Sequence, residues 1–474
     1  MGSTRTEKDT MGAMEVPASA LYGASTQRAV LNFPVSGRPV APQIIHAYGH
    51  LKASCAEVNR DLGLLDDERA GAIVNAGEAI ARGEHDEHFP VDVFQTGSGT
   101  STNMNANEVI ANLICVARGA PIGSSKDPSY LESGGVHPND HVNMGQSSND
   151  TFPSALHIAS ACTLNQRVLP SVRRLRSLLE EKSTLWDSIT KIGRTHLQDA
   201  TPIRLGQEFS GYASQLEHDE SRLENALEQL CELAIGGTAV GTGINTPASF
   251  GSKVCERLSS RVGMTFREAD NHFEAQHARD AAVQVSGSLR TLAVSLSKIA
   301  SDIRLMGCGP RCGFGELLIP SVQPGSSIMP GKVNPVICES MMMVVCRVLG
   351  NDTTVASAGL GGIGSLLDLS VAMPVMGEAL LDSMDLLANT CDMFAERCVK
   401  ELEPDVERCR ELIEGSLAMC TSLAPVIGYD KAASIAKRAY AEGKTVREVA
   451  REEGVLSEEE LERLLDADSM TRPD

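Results

Sequence analysis

Ser286-Gly287-Ser288-Leu289-Arg290-Thr291-Leu292-Ala293-Val294-Ser295-Leu296-Ser297-Lys298-Ile299-Ala300-Ser301-Asp302-Ile303 contains no proline, and apolar residues recur at three- and four-residue steps at Leu289, Leu292, Leu296, Ile299 and Ile303. That period matches an α-helix and places the five side chains on one stripe. The same spacing recurs upstream at Val168, Val172, Leu175 and Leu179, and again at Tyr212, Leu216, Leu223, Leu227 and Leu230. Downstream, helices are expected over about 335–350 and 366–395, the second with Val375, Leu380, Met384 and Leu387 on its inner face. Long helices with short connections make a bundle, so the fold class is mainly α and the stripes read as core.

Either side of this bundle the pattern changes. Residues 1–5 read as a frayed, functionless terminus. From 42 to 83, Ile44, Ala47, Leu51 and Cys55, then Ala70, Ile73, Val74 and Ala81, predict a mixed, helix-rich region, and residues 83–99 break its periodicity. Beyond 403 come short charged helices, over 401–414 and 431–440, and Ser457 caps the acidic run Glu458-Glu459-Glu460. The expected division is an N-terminal domain 1–150, a central long-helix bundle 151–402 and a small C-terminal helical domain 403–474.

At 474 residues the chain is too long for one ordinary core, and its net charge of −20 argues against a nucleic-acid partner. An anionic ligand would need local cations, with Lys332 and Arg194 the candidates. No apolar run approaches the roughly 20 residues that cross a bilayer, so no membrane partner is expected. The 13 cysteines are an odd number with no secretory apolar segment ahead of them, which suggests a reducing, cytoplasmic setting. Cys308 and Cys312 lack the second Cys/His pair that a tetrahedral metal site needs, and no metal is expected. The glycine-rich segment 236–243 lacks the preceding strand and following acid of a dinucleotide loop, and reads as a bend between helices, lined with Thr238 at most.

The segment with most chemistry is Gly325-Ser326-Ser327-Ile328-Met329-Pro330-Gly331-Lys332-Val333-Asn334-Pro335. Its prolines exclude it from a helix interior, its glycines allow amides near Ser326 to converge on an anionic oxygen, and Lys332 adds a charge. A Gly/Ser/Pro linker has the same composition. Three further motifs occur: Thr96-Gly97-Ser98-Gly99-Thr100-Ser101-Thr102-Asn103-Met104-Asn105; His137-Pro138-Asn139-Asp140 running to Gln146-Ser147-Ser148-Asn149-Asp150; and Gly193-Arg194-Thr195-His196-Leu197-Gln198-Asp199. Ser147 to Asp150 would also serve as an ordinary helix cap.

These four motifs, in this order, resemble the fumarase/aspartase superfamily, and the similarity runs from Glu7 to Ala433. The resemblance implies a three-domain fold with a central long-helix bundle, a homotetramer around a twenty-helix core, and active sites built from three subunits. It implies a small dicarboxylate substrate and no metal or organic cofactor. It assigns Ser326 as the carbon-acid base, assisted by Lys332, and His196 with Glu339 as the pair that handles water. Ser98, Thr100, Ser147, Ser148, Asn149, Thr195, Ser327, Lys332 and Asn334 would bind substrate. His137, Asn139 and Asp140 would form a second anion site, a pattern equally readable as a self-satisfied turn.

Within the superfamily, the histidine at 196 favours addition of water, since aspartases resemble this motif with a glutamine there. His141 and Asn351-Asp352-Thr353-Thr354-Val355 resemble the aspartase spelling. Ser370 stands where both branches carry an asparagine, which removes donors and leaves an aspartase-like carbon-nitrogen lyase, or a lyase of a substituted succinate, as the alternative.

Overall fold

The computed structural model describes residues 3–473. The chain forms two compact units: one comprises residues up to Pro170 with Ser221–Thr291 and Cys346–Ala388, and the other comprises Ser171–Glu220, Leu292–Val345 and the chain from Asn389 onward. The long helices Asp280–Met306, Val336–Gly359 and Met373–Phe394 supply residues to both. Leu289, Leu292, Leu296, Ile299 and Ile303 are completely buried, as their spacing predicts, while Leu227 and Val375 are only half-buried. No helix among the described residues is long and apolar enough to cross a membrane.

In the first unit, helices Pro42–Asp61 and Asp67–Ala81 pack so closely that a Cβ at Gly49 would meet the Gly77 carbonyl. Ile44, Leu51, Ile73 and Ile80 of these two helices are buried in the core. Helices Thr100–Ala117 and Ser148–Thr163 complete the scaffold that carries two of the four motifs.

The second unit is built on helix Leu169–Leu185, most of Leu205–Leu230 and an antiparallel hairpin, Thr190–Thr195 with Gln198–Arg204. Trp186, Phe209 and Tyr212 meet edge to face, with ring centroids 4.7 and 5.4 Å apart. Ile192 of the hairpin is buried in the C-terminal cluster with Leu423, Ile435, Val449 and Leu461, so the short helices at the chain's end hold the hairpin in place.

Several expectations change. Residues 1 and 2 lie outside the described residues, but Thr4 and Arg5 are not frayed: strand Thr4–Asp9 pairs with Gly12–Pro17, and Arg5 donates to Glu7, to the Pro17 carbonyl and to the Tyr22 carbonyl at 2.7–2.8 Å. Residues 365–370 form a small hairpin, Ser365–Leu366 with Leu369–Ser370, and the helix expected from 366 begins at Met373. Leu367 sits at φ 52°, the Val371 amide turns back to the Gly364 carbonyl, and Pro374 occupies the first helical turn where its missing N–H costs nothing. The helix expected over 335–350 continues to Gly359. The one expected over 401–414 starts at Val406, where Asp405 caps it.

Candidate active site

The first unit carries a chain of hydroxyls at the head of helix Thr100–Ala117. Ser98 Oγ and Thr100 Oγ1 are 2.9 Å apart, and Thr100 Oγ1 lies 2.8 Å from Ser148 Oγ. The turn that aims them requires glycine: Gly99 has φ 73°, and a Cβ there would run into the Phe152 ring. Ser147 caps helix Ser148–Thr163 in a capping box with Asp150, which fulfils the capping alternative without moving Ser148 away from Thr100. Asn149 Nδ2 donates to the Ala239 carbonyl at 2.8 Å, linking this group to the glycine-rich segment 236–243.

Two residues here carry no catalytic or substrate-binding assignment from sequence. Asp150 is fully buried, and besides the Ser147 amide it accepts the amides of Gly236 and Thr238 at 3.2 and 2.9 Å, fixing the 236–243 bend. Burial pushes its carboxyl up to about 7 against those hydrogen bonds. Lys52 is also fully buried and donates to Asn103, Asn143 and Gln146. The capping-box position signals Asp150; a lysine one place past Leu51 in an apolar stripe is the only trace of Lys52.

In the second unit, Thr195 and Gln198 close the hairpin register, leaving His196 and Leu197 as its two-residue turn, at φ 56° and 59°. Consecutive left-handed residues suit a right-twisted hairpin; histidine is among the residues enriched in this conformation and leucine is not. The turn presents the His196 imidazole to solvent. Arg194, a candidate cation, is instead sequestered: it donates to both oxygens of the fully buried Glu316 at 2.8–2.9 Å and stacks over Phe314 at 4.0 Å. Its charge is neutralised, leaving Lys332 as the exposed cation of the pair.

The loop 325–335 is closed at its neck. The Gly325 amide donates to the Lys332 carbonyl at 2.9 Å and Asn334 Nδ2 to the Gly325 carbonyl at 2.6 Å. Inside the ring, Ser326 Oγ accepts the amides of Ile328 and Met329 at 3.2 and 2.9 Å. Converging amides stabilise a negative oxygen more than a neutral one. Ser327, Lys332 and Glu339 are exposed, the last in the first turn of helix Val336–Gly359. Among the described residues no ion pair joins His196 to Glu339 within the chain.

At the candidate second anion site, His137 Nδ1 accepts the Asp140 amide at 3.1 Å and lies 3.1 Å from the Asp140 carboxylate, while the His137 amide donates to His141 Nδ1. Burial lowers the proton affinity of His137. An arriving anion would therefore meet Asp140 and a neutral imidazole, and Asn139 stands exposed beside them. The other aspartase-like spelling also serves packing: Asp352 pairs with Arg290 and accepts from Ser286, while Asn351 donates to Asp382 and Ser383. A separate cavity of about 380 Å³ in the first unit is lined by His46, His50, Arg167 and Arg261, but Arg261 is held by Glu57 and Glu78 and Arg167 by Asp385, and no motif residue lines it.

A family profile described as Lyase matches residues 12–350, and one described as Fumarase C C-terminus matches residues 419–472. A class II fumarate hydratase from Corynebacterium efficiens is 52% identical, covering 99% of this chain and 97% of that protein. One from Mycobacterium tuberculosis is 50% identical, covering 99% and 96%. The crystal structure of recombinant class II fumarase from Schistosoma mansoni superimposes with a TM-score of 0.93 at 37% identity, covering 99% of this chain and all of that one. With its helix-bundle lyase fold and these full-length relatives, the chain belongs to the class II fumarate hydratase family.

Proposed function

We propose that this chain catalyses the reversible anti addition of water to fumarate, giving (S)-malate. The observation that carries the reading is the Ser326 oxygen ringed by the Ile328 and Met329 amides inside a closed loop. As an alkoxide, Ser326 takes the C3 proton of malate. The electron pair left behind spreads into the adjacent carboxylate, which Lys332 and Asn334 receive. The C2 hydroxyl leaves as water, helped by His196 and Glu339, and the double bond of fumarate forms. Ser98, Thr100, Ser147, Ser148, Asn149, Thr195 and Ser327 bind the carboxylates.

The assembly that unites these residues is a homotetramer with each site drawn from three subunits. Exposed apolar residues on the long helices support it: Val294 is 56% and Met343 68% exposed in the single chain. The division at 150 and 402 and a cytoplasmic location belong to the same reading. At residues 137–140 the self-paired turn favours a structural role over a second anion site.

The test is absorbance in the ultraviolet band of fumarate with (S)-malate and, separately, L-aspartate, no metal being added. Fumarate from malate alone supports the hydratase. Fumarate from aspartate supports the carbon-nitrogen lyase; Ser370, fully buried with no partner for its Oγ, departs from the asparagine of both branches alike and favours neither.

A further inference from the structure

Lys52, on helix Pro42–Asp61, is completely buried, and its ammonium donates to three neutral amide oxygens: Asn103 Oδ1 at 2.8 Å, Gln146 Oε1 at 2.9 Å and Asn143 Oδ1 at 3.1 Å. Among the described residues no carboxylate lies within ion-pair distance of it. Burying an ammonium among neutral groups costs several kcal/mol unless its hydrogens are satisfied, so a lysine serving only to fill space would be better replaced by an apolar residue. Its acceptors show what it joins. Asn103 lies one turn into the helix that Thr100 begins, and Gln146 immediately precedes Ser147, Ser148 and Asn149. Asn143 binds both sides, accepting from Asn103 Nδ2 and Asn107 Nδ2 at 3.1 and 3.2 Å while donating to the Gln146 carbonyl at 3.0 Å. Thr151, on the helix that Ser147 caps, donates to Asn103 Oδ1 at 3.2 Å.

We propose that Lys52 is a positioning residue whose three hydrogen bonds lock the Ser98–Thr100 turn and the Ser147–Asn149 helix cap together, so that their hydroxyls and amide meet a substrate carboxylate as one preformed set. This rests on the hydratase reading for the identity of the ligand, and on the geometry alone for the clamp. The groups that face the ammonium electrostatically are Asp150 from helix Ser148–Thr163 and Cys55 one turn along its own helix, with the Tyr48 ring 5.8 Å away. Burial lowers the Lys52 ammonium to about 7, so the clamp loses its third hydrogen and its charge on the alkaline side of neutrality.

The experiment compares the wild-type enzyme with Lys52→Met in steady-state kinetics, and measures the affinity of each for succinate, a saturated dicarboxylate, by calorimetry from pH 6 to 9. A carboxylate site that is present but unaligned loses ground-state and transition-state binding alike, so KM rises about 10-fold, kcat changes less than about 3-fold, and succinate affinity falls by the same factor as KM rises. Wild-type succinate affinity weakens as pH rises past neutrality and that of Lys52→Met does not. A residue that only supports the fold would lower the active fraction, reducing kcat at unchanged KM, and that result overturns the clamp. Should Lys52→Met fail to fold, Gln146→Met removes one acceptor and is expected to raise KM by about 3-fold; an unchanged KM there overturns the proposal equally. A wild-type enzyme that turns over aspartate rather than malate would fell the hydratase reading while leaving the KM comparison to be read on aspartate. Wild type that neither reacts nor binds succinate overturns both.

Discussion

The side-chain amide of Asn334 donates to the carbonyl of Gly325 across 2.6 Å, tying the far end of the serine loop to its beginning. A ring closed this way holds the Ile328 and Met329 amides around Ser326 with less entropy left to lose on substrate binding. Asn334→Ala should open the neck, lower kcat by about 10- to 100-fold, and speed proteolytic cleavage between 325 and 335. Kinetics paired with limited proteolysis checks both, and unaltered cleavage with reduced kcat would leave Asn334 as a substrate ligand only.

Ser326→Ala removes the proposed base while leaving the carboxylate ligands in place. The expected result is a fall in kcat of about 10² to 10⁴ with KM changed no more than a few-fold. Turnover near the wild-type rate would take Ser326 out of the base role.

His196 occupies a left-handed position, so substitution there risks confusing strain with chemistry. Asparagine tolerates that conformation, so His196→Asn should leave Tm within a few degrees while lowering kcat by about 10² or more. A matched loss of Tm and activity would mean that the imidazole matters for the hairpin.

The Ser370 hydroxyl is buried without a partner, and such a group costs about 1–3 kcal/mol. Ser370→Ala should therefore unfold at equal or higher denaturant concentration than wild type. Destabilisation by Ser370→Ala would reveal a hydrogen bond formed on assembly.

Asp150 sets a pH dependence. Its folded carboxyl is raised to about 7 from an unfolded value of 3.8, so its contribution to stability is fully present below pH 3.8 and is lost as pH rises towards and through 7. Lys52, lowered to about 7, acts in the opposite sense above that pH, its contribution growing as pH rises to 10.5. Asp150→Asn cannot accept all three amides and should be less stable than wild type at pH 4, but the deficit should shrink as pH rises to 7. Thermal melts of both proteins at pH 4, 5.5 and 7 decide it; a constant deficit would mean that Asp150 is ionised throughout.

The long helices were legible because a stripe such as Leu289 to Ile303 needs only the period of its own segment. The Ser457 cap and the capping box at Ser147 were legible for the same local reason. Residues 365–370 were not: the apolar run of Leu366, Leu367 and Leu369 fits a helix, and the turn there depends on the Gly364 carbonyl receiving Val371 and on the Gly97 carbonyl receiving Met373 from a segment far away in sequence.

The sequence by itself determined the helical class, the four chemical motifs and their family, since periodicity and short spacings are properties of neighbours along the chain. The tertiary structure decided what those residues touch. It withdrew Arg194 into a pair with Glu316, bent the His196 turn into the left-handed region, and put Lys52 beneath two motifs lying about 50 and 95 residues beyond it. An ionisable side chain takes its charge and its role from whatever packs around it, and burial at that range is written in no single stretch of the chain.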